Sequence, residues 1–223
     1  MVNDFMLNFP TFHRLPQRVL LWLMLTVLVG CGESVPVIAP LPSNANLLIF
    51  GDDFVTNGSL PPEQTYPALL GKLSGYRVSA AGVAGETTAQ GLQRLRGALA
   101  THKPSALVLC HGWSDLFSQV DENDTIDALR SMVGLAQHQG VPVVLVGLPV
   151  AGAPGEFRPL WYYGKIAKAF KIPYQNSAFA YALMEKDQHV IHEQNVELSA
   201  LGHQKVAEGL WELLRRAQRM DTP

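Results

Sequence analysis

The sequence predicts a three-layer α/β/α domain, flavodoxin-like in order, around a mainly parallel five-stranded sheet. Three observations carry this. Apolar runs recur between turn signals, and most of them are apolar on successive residues, as in strands covered on both faces. The stretches between them carry helical periodicity.

The runs are Asn46 to Gly51, Tyr76 to Ala80, Ala106 to Cys110 and Val141 to Gly147, and Lys171 to Tyr174 supplies a short fifth strand. Thr88 is the expected cap of a helix over Ala89 to Ala100, where Leu92, Leu95 and Leu99 share a face. Asp124 is the expected cap of Thr125 to Gln137, with Leu129, Val133 and Ala136 inward. Helical period returns at Ile166, Ala167 and Phe170. It returns again behind Ser199, where Val206, Leu210, Leu213, Leu214 and Ala217 alternate with charged residues. Alternation of this kind gives right-handed crossovers, and ligands of such sheets sit beyond the C-terminal ends of the strands.

With 223 residues, 48% of them hydrophobic, the chain is long enough for a single well-filled core. A formal net charge of -2 offers no electrostatic footprint for nucleic acid. Residues 1–30 read as a signal peptide. Arg14 and Arg18 precede an apolar run, Val19 to Gly30, that is short for a membrane span and right for a secretory signal. The run ends in Leu28-Val29-Gly30-Cys31, which resembles a bacterial lipobox. That resemblance implies diacylation of Cys31, anchoring in the bacterial envelope and, with Gly32 next, sorting to the outer membrane facing the periplasm. Several acyl chains hold far more firmly than one. Residues 31–45 are then the lipidated cysteine and a Pro- and Ser-rich tether, and 46–219 the folded domain. Cys110 is left as a lone thiol, expected to be buried.

Four blocks carry a further resemblance. They are Ile49-Phe50-Gly51-Asp52-Asp53-Phe54, Gly82-Val83-Ala84-Gly85-Glu86-Thr87-Thr88, Leu109-Cys110-His111-Gly112-Trp113-Ser114-Asp115, and Gln194-Asn195-Val196-Glu197-Leu198-Ser199 with Gly202-His203 behind it. In order and spacing the chain resembles the SGNH or GDSL hydrolases, especially the periplasmic esterase, thioesterase and lysophospholipase-like branch. The resemblance implies a flavodoxin-like fold and cleavage of esters and thioesters.

The positions that would do the chemistry depart from that pattern. The nucleophile position holds Asp53, the oxyanion-donor position Ser114, the orienting position Gln194 and the base position Glu197; the glycine position keeps Gly85. Acyl transfer needs a hydroxyl, a base within reach and donors aimed at the oxyanion. A carboxylate in place of the serine would form an anhydride on attack, and a carboxylate is a weaker base than imidazole by about two pKa units in water. Losing the Asn donor alone costs on the order of 3 kcal/mol. The sequence therefore points to a catalytically degenerate hydrolase-like lipoprotein that binds a lipid, a glycan or an envelope protein. The alternative is an active ester or thioester hydrolase with an altered set.

For that alternative, His192 is the rescue candidate. His111, His189 and His192 otherwise read as exposed or locally bonded loop histidines. Asp53 and Glu197, joined by Asp52, Ser114 and His111, are the candidates for a divalent cation; no cofactor is otherwise expected. Asp52, Asp115 and His203 read as structural. Phe157, Trp161 and Tyr162 either line a cleft or pack the loop that carries them, and Trp113, where the family has a small residue, is expected to fill part of the pocket.

Overall fold

The computed structural model describes residues 35–56, 60–151, 156–184, 189–192 and 195–220, the strand His189–His192 by its backbone path. Residues 1–30, expected to be a signal peptide, and Cys31 and Gln194 lie outside the described residues.

In chain order the strands are β1 (Asn46–Gly51), β2 (Arg77–Gly82), β3 (Ala106–Cys110), β4 (Val143–Val146), β5 (Pro149–Ala151), β6 (Phe157–Pro159), β7 (Tyr174–Gln175), β8 (His189–His192) and β9 (Asn195–Leu198). The central sheet is parallel throughout, in the order β2-β1-β3-β4-β7. Two antiparallel hairpins, β5 with β6 and β8 with β9, lie outside it. The helices are α1 (Tyr66–Ser74), α2 (Thr88–His102), α3 (Trp113–Phe117), α4 (Glu122–His138), α5 (Trp161–Phe170), α6 (Ala178–Met184) and α7 (Ala200–Ala217). α1 and α6 pack on α7, whereas α2 and α5 pack on α4, giving the helical layers either side of the sheet.

The strands form where the sequence is apolar on both faces. Leu47, Leu48, Ile49 and Phe50 on β1 and Leu107, Val108 and Leu109 on β3 are sealed from solvent, each large side chain contributing about 1.5–3 kcal/mol on burial. β2 is one of the two edge strands and only half-buried, which fits its mixed composition. Strand β4 begins at Val143, two residues later than expected, because Pro142 has no N–H for the ladder. Tyr174–Gln175 is the fifth strand; Lys171, expected there, is the left-handed cap of α5.

Two expected caps are displaced. Thr87, not Thr88, caps α2, in a reciprocal box with Gln90. Asp121, one turn ahead of Asp124, caps α4 through the Asn123 N–H. Ser199 caps α7 as expected, accepting from the Gly202 N–H. At the foot of the sheet, where the strands begin, the Ile38 N–H donates to the Ala217 carbonyl at 3.0 Å and the Leu41 N–H to Gln218 Oε1 at 2.8 Å. The strands end at the opposite side, where β1 runs into Asp52, β2 into Val83 and β3 into His111.

Candidate functional site

Beyond Gly51 the chain makes one tight turn, Asp53–Val55, that sets Asp53 half-buried at the tip of β1. Asp53 Oδ2 accepts the Gly85 N–H at 3.1 Å and the Ser114 hydroxyl at 2.5 Å. Gly85 has φ +74°, the left-handed region that glycine enters without a Cβ penalty. Ser114 lies buried in the first turn of α3. Three positions singled out by the sequence therefore meet, with a carboxylate as acceptor at the centre. Hydrogen bonds to a carboxylate are the stronger kind. An incoming oxyanion would find both donors engaged and a negative charge beside them.

Beneath this pair lies a buried layer. Asp52 Oδ2 accepts the Gly112 N–H at 2.9 Å and the Ser114 N–H at 3.1 Å, which fixes the entry to α3. Asp115 accepts from the Thr88 N–H at 2.8 Å, the Thr88 hydroxyl at 2.6 Å and the Thr125 hydroxyl at 3.0 Å, tying the starts of α2, α3 and α4 together. This explains why Thr88 does not cap its helix: its hydroxyl is already committed. Gly112 turns at φ +117°, and a Cβ there would lie 2.7 Å from the Tyr163 hydroxyl, which donates to the His111 carbonyl at 2.6 Å.

His111 is fully buried, contrary to its reading as a loop histidine. Nε2 is 3.1 Å from Glu86 Oε2, and Nδ1 is 3.4 Å from Asp52 Oδ2. Burial pushes its pKa down, but Asp52 first and then Glu86 outweigh burial, and the net shift is upward. Glu86 is gripped by Arg94 through Nε at 2.8 Å and Nη2 at 2.6 Å. Burial would raise its pKa, yet the bonds from Arg94 and His111 bring it below the ordinary value. The Arg94 guanidinium also donates to the carbonyls of Ala81 and Gly51, each at 3.2 Å, and lies 4.0 Å above the Phe50 ring. Space for the imidazole comes from Gly91, where any Cβ would collide with His111 Nε2.

The remaining predicted residues separate. Glu197 is half-buried on β9, and its charge reaches His203. His203 Nδ1 accepts the Tyr66 N–H at 3.1 Å, and its ring stacks on Tyr66, a structural role. Burial pushes His203 down to about 4, with Glu197 pulling the other way. Trp113 and Tyr162 are buried: Trp113 packs edge-on against Phe54, and Tyr162 stacks on Tyr163. They pack the core, so of the four pocket candidates only Phe157, half-buried, and Trp161, exposed beneath Lys165, present surface. The side chain of His192 lies outside the described residues.

Among the described residues, the group able to hold a cation is Asp52, His111 and Asp115, with one ligand atom from each within 4.8 Å of the others. Asp115 thus stands where Asp53 and Glu197 were expected to contribute. Glu86, Arg94 and Gly91 were not singled out by the sequence. Their signal was there to find: a glycine on the inward face of an amphipathic helix, one turn before an arginine.

The model of the GDSL-like lipase/acylhydrolase family matches residues 49–195 of the chain. Esterase TesA of Pseudomonas aeruginosa is 34% identical over 127 residues, a match that takes in 55% of this chain and 63% of that protein. The chain therefore matches somewhat under two thirds of that relative's length. Among solved structures, a crystal structure of TesA shares 24% identity at a TM-score of 0.63, covering 77% of this chain and 99% of that one. A psychrotrophic esterase, EstA from Pseudoalteromonas sp., shares 15% identity at a TM-score of 0.66, covering 80% and 100%. At these identities the two structures establish a common fold.

Proposed function

The chain belongs to the GDSL-like lipase/acylhydrolase family, and we propose that within it this protein is a binding or accessory member, lipid-anchored in the bacterial envelope, that no longer hydrolyses esters. One observation carries the reading: the Asp53 carboxylate takes up the Gly85 N–H and the Ser114 hydroxyl. The donors that would stabilise a tetrahedral oxyanion are occupied by the protein's own anion. No hydroxyl stands at position 53 to attack, and position 197 offers a carboxylate in place of an imidazole. The ligand would be a lipid, a glycan or an envelope protein, met at the strand ends around Asp53.

A panel of short-chain aryl esters and thioesters tests this. The wild-type protein is expected to give background rates. A variant carrying Asp53→Ser, Ser114→Asn, Gln194→Asp and Glu197→His is expected to gain turnover. Enzyme-like rates in the wild type, abolished by Asp53→Ala, would sink the proposal. The anchor rests on the apolar run ending at Cys31. Labelled palmitate should enter the wild type and not Cys31→Ala, and equal labelling of both would remove the anchor.

A second reading has one observation in its favour, the 2.5 Å contact of the Ser114 hydroxyl with Asp53. It makes Ser114 the nucleophile and Asp53 its base. Against it stand the burial of Ser114 and the weakness of a carboxylate as a base. It predicts slow turnover that Ser114→Ala abolishes.

A further inference from the structure

The buried layer under Asp53 is short of positive charge. Asp52, Asp115 and Glu86 lie around His111, with Asp53 above them, and the permanent cation beside them is Arg94, bonded to Glu86. Two of its atoms have no hydrogen-bond partner although both are shut from solvent: Asp52 Oδ1 and His111 Nδ1. Unpaired buried polar atoms are costly and call for a partner. The tautomer follows from the other nitrogen. Glu86, locked by Arg94, can only accept from His111 Nε2, so in the neutral ring Nδ1 presents a lone pair toward Asp52. Facing lone pairs repel unless something positive, a proton or a cation, lies between them.

We propose that Asp52, His111 and Asp115 form a buried site for a divalent first-row cation, with Zn2+ the best match, clamping the ends of β1 and β3 to the start of α3. The chemistry of the donors selects the ion. One imidazole with two carboxylates suits Zn2+, whereas Ca2+ and Mg2+ favour oxygen alone. Zn–N and Zn–O distances of about 2.0–2.2 Å put neighbouring ligand atoms of a tetrahedron roughly 3.4 Å apart. His111 Nδ1 and Asp52 Oδ2, an oxygen that also accepts two backbone N–H groups, are 3.4 Å apart, and one ligand atom from each of Asp52, His111 and Asp115 lies within 4.8 Å of the others. The outer shell is in place too. A ligating histidine characteristically gives its other N–H to a carboxylate, as His111 does to Glu86, and both aspartates are oriented by N–H and hydroxyl donors. This inference does not depend on whether the protein hydrolyses esters.

Because all three ligands are buried, loading accompanies folding, and the test exploits this. The full-length chain, without a histidine tag, is unfolded with chelator and refolded in detergent with or without Zn2+ alone. We expect roughly one equivalent to survive gel filtration, a higher unfolding temperature, and X-ray absorption showing nitrogen and oxygen ligands without sulfur. His111→Gln should lose the equivalent. Glu86→Gln keeps every ligand and should weaken affinity about ten- to a hundredfold. If His111→Gln does not refold, Glu86→Gln decides alone. Refolded protein holding no Zn2+, full retention in His111→Gln, a sulfur ligand, or unchanged affinity in Glu86→Gln would each overturn the proposal; a chain holding no Zn2+ would assign the gap between His111 and Asp52 to a proton.

Discussion

Two layers of the same site differ sharply. The upper one, Asp53 with Gly85 and Ser114, is partly open and bonded mainly to itself. The lower one, Asp52, His111, Glu86, Arg94 and Asp115, joins three strand ends and three helix starts through bonds that are buried, or partly so where Arg94 donates. A change in the upper layer alters what the protein can do to a ligand and little else. A change in the lower layer leaves a buried charge without its partner. The upper layer can therefore be altered without unseating the scaffold beneath it.

The contrast breaks most readily at Arg94. Arg94→Ala strips Glu86 of its cation and the carbonyls of Gly51 and Ala81 of a donor. A loss of about 3–5 kcal/mol is expected in denaturant unfolding. A loss under 1 kcal/mol would show that the lower layer is no foundation.

Acid should come next, acting away from both layers. The folded pKa of His203 is depressed to about 4 from an ordinary 6.5, so its neutral form is the one the fold favours. Its contribution is fully present above pH ~6.5 and is lost as pH falls toward 4, by on the order of 3 kcal/mol. The same step breaks the bond from the Tyr66 N–H, since protonated Nδ1 cannot accept. His203→Asn, which keeps an acceptor there but cannot charge, should flatten that limb of the stability profile. An unchanged limb in the variant would place the acid sensitivity elsewhere. The smallest effect belongs to the upper layer: Asp53→Ala should cost about 1 kcal/mol, because water can reach the donors it releases. A cost matching that of Arg94→Ala would erase the distinction between the layers.

Much of the scaffold was legible because its signals are local. Leu47 to Phe50 and Leu107 to Leu109 are apolar on both faces and can only be central strands. The inward leucines of α2, α4 and α7 follow from their period alone. Caps were read less well, since a Thr or Asp near a helix start has more than one use. Thr88 serves Asp115 instead of its own helix, and nothing within four residues announces that. The gathering of Asp53, Gly85 and Ser114 was anticipated from the order of the blocks. Of the buried network, the structural roles of Asp52 and Asp115 were read and the rest was not. Glu86, Arg94 and His111 are brought together by the sheet order β2-β1-β3, across 25 residues in the case of Glu86 and His111, and an isolated histidine after a strand reads as a loop residue until its neighbours are known.

The tie of Ile38 to Ala217 has a consequence for approach. The polypeptide enters this domain at its foot, with Asp53 at the opposite end. Chain joined to the domain through that entry therefore meets it on the face away from the Asp53 cluster and leaves the strand ends uncovered.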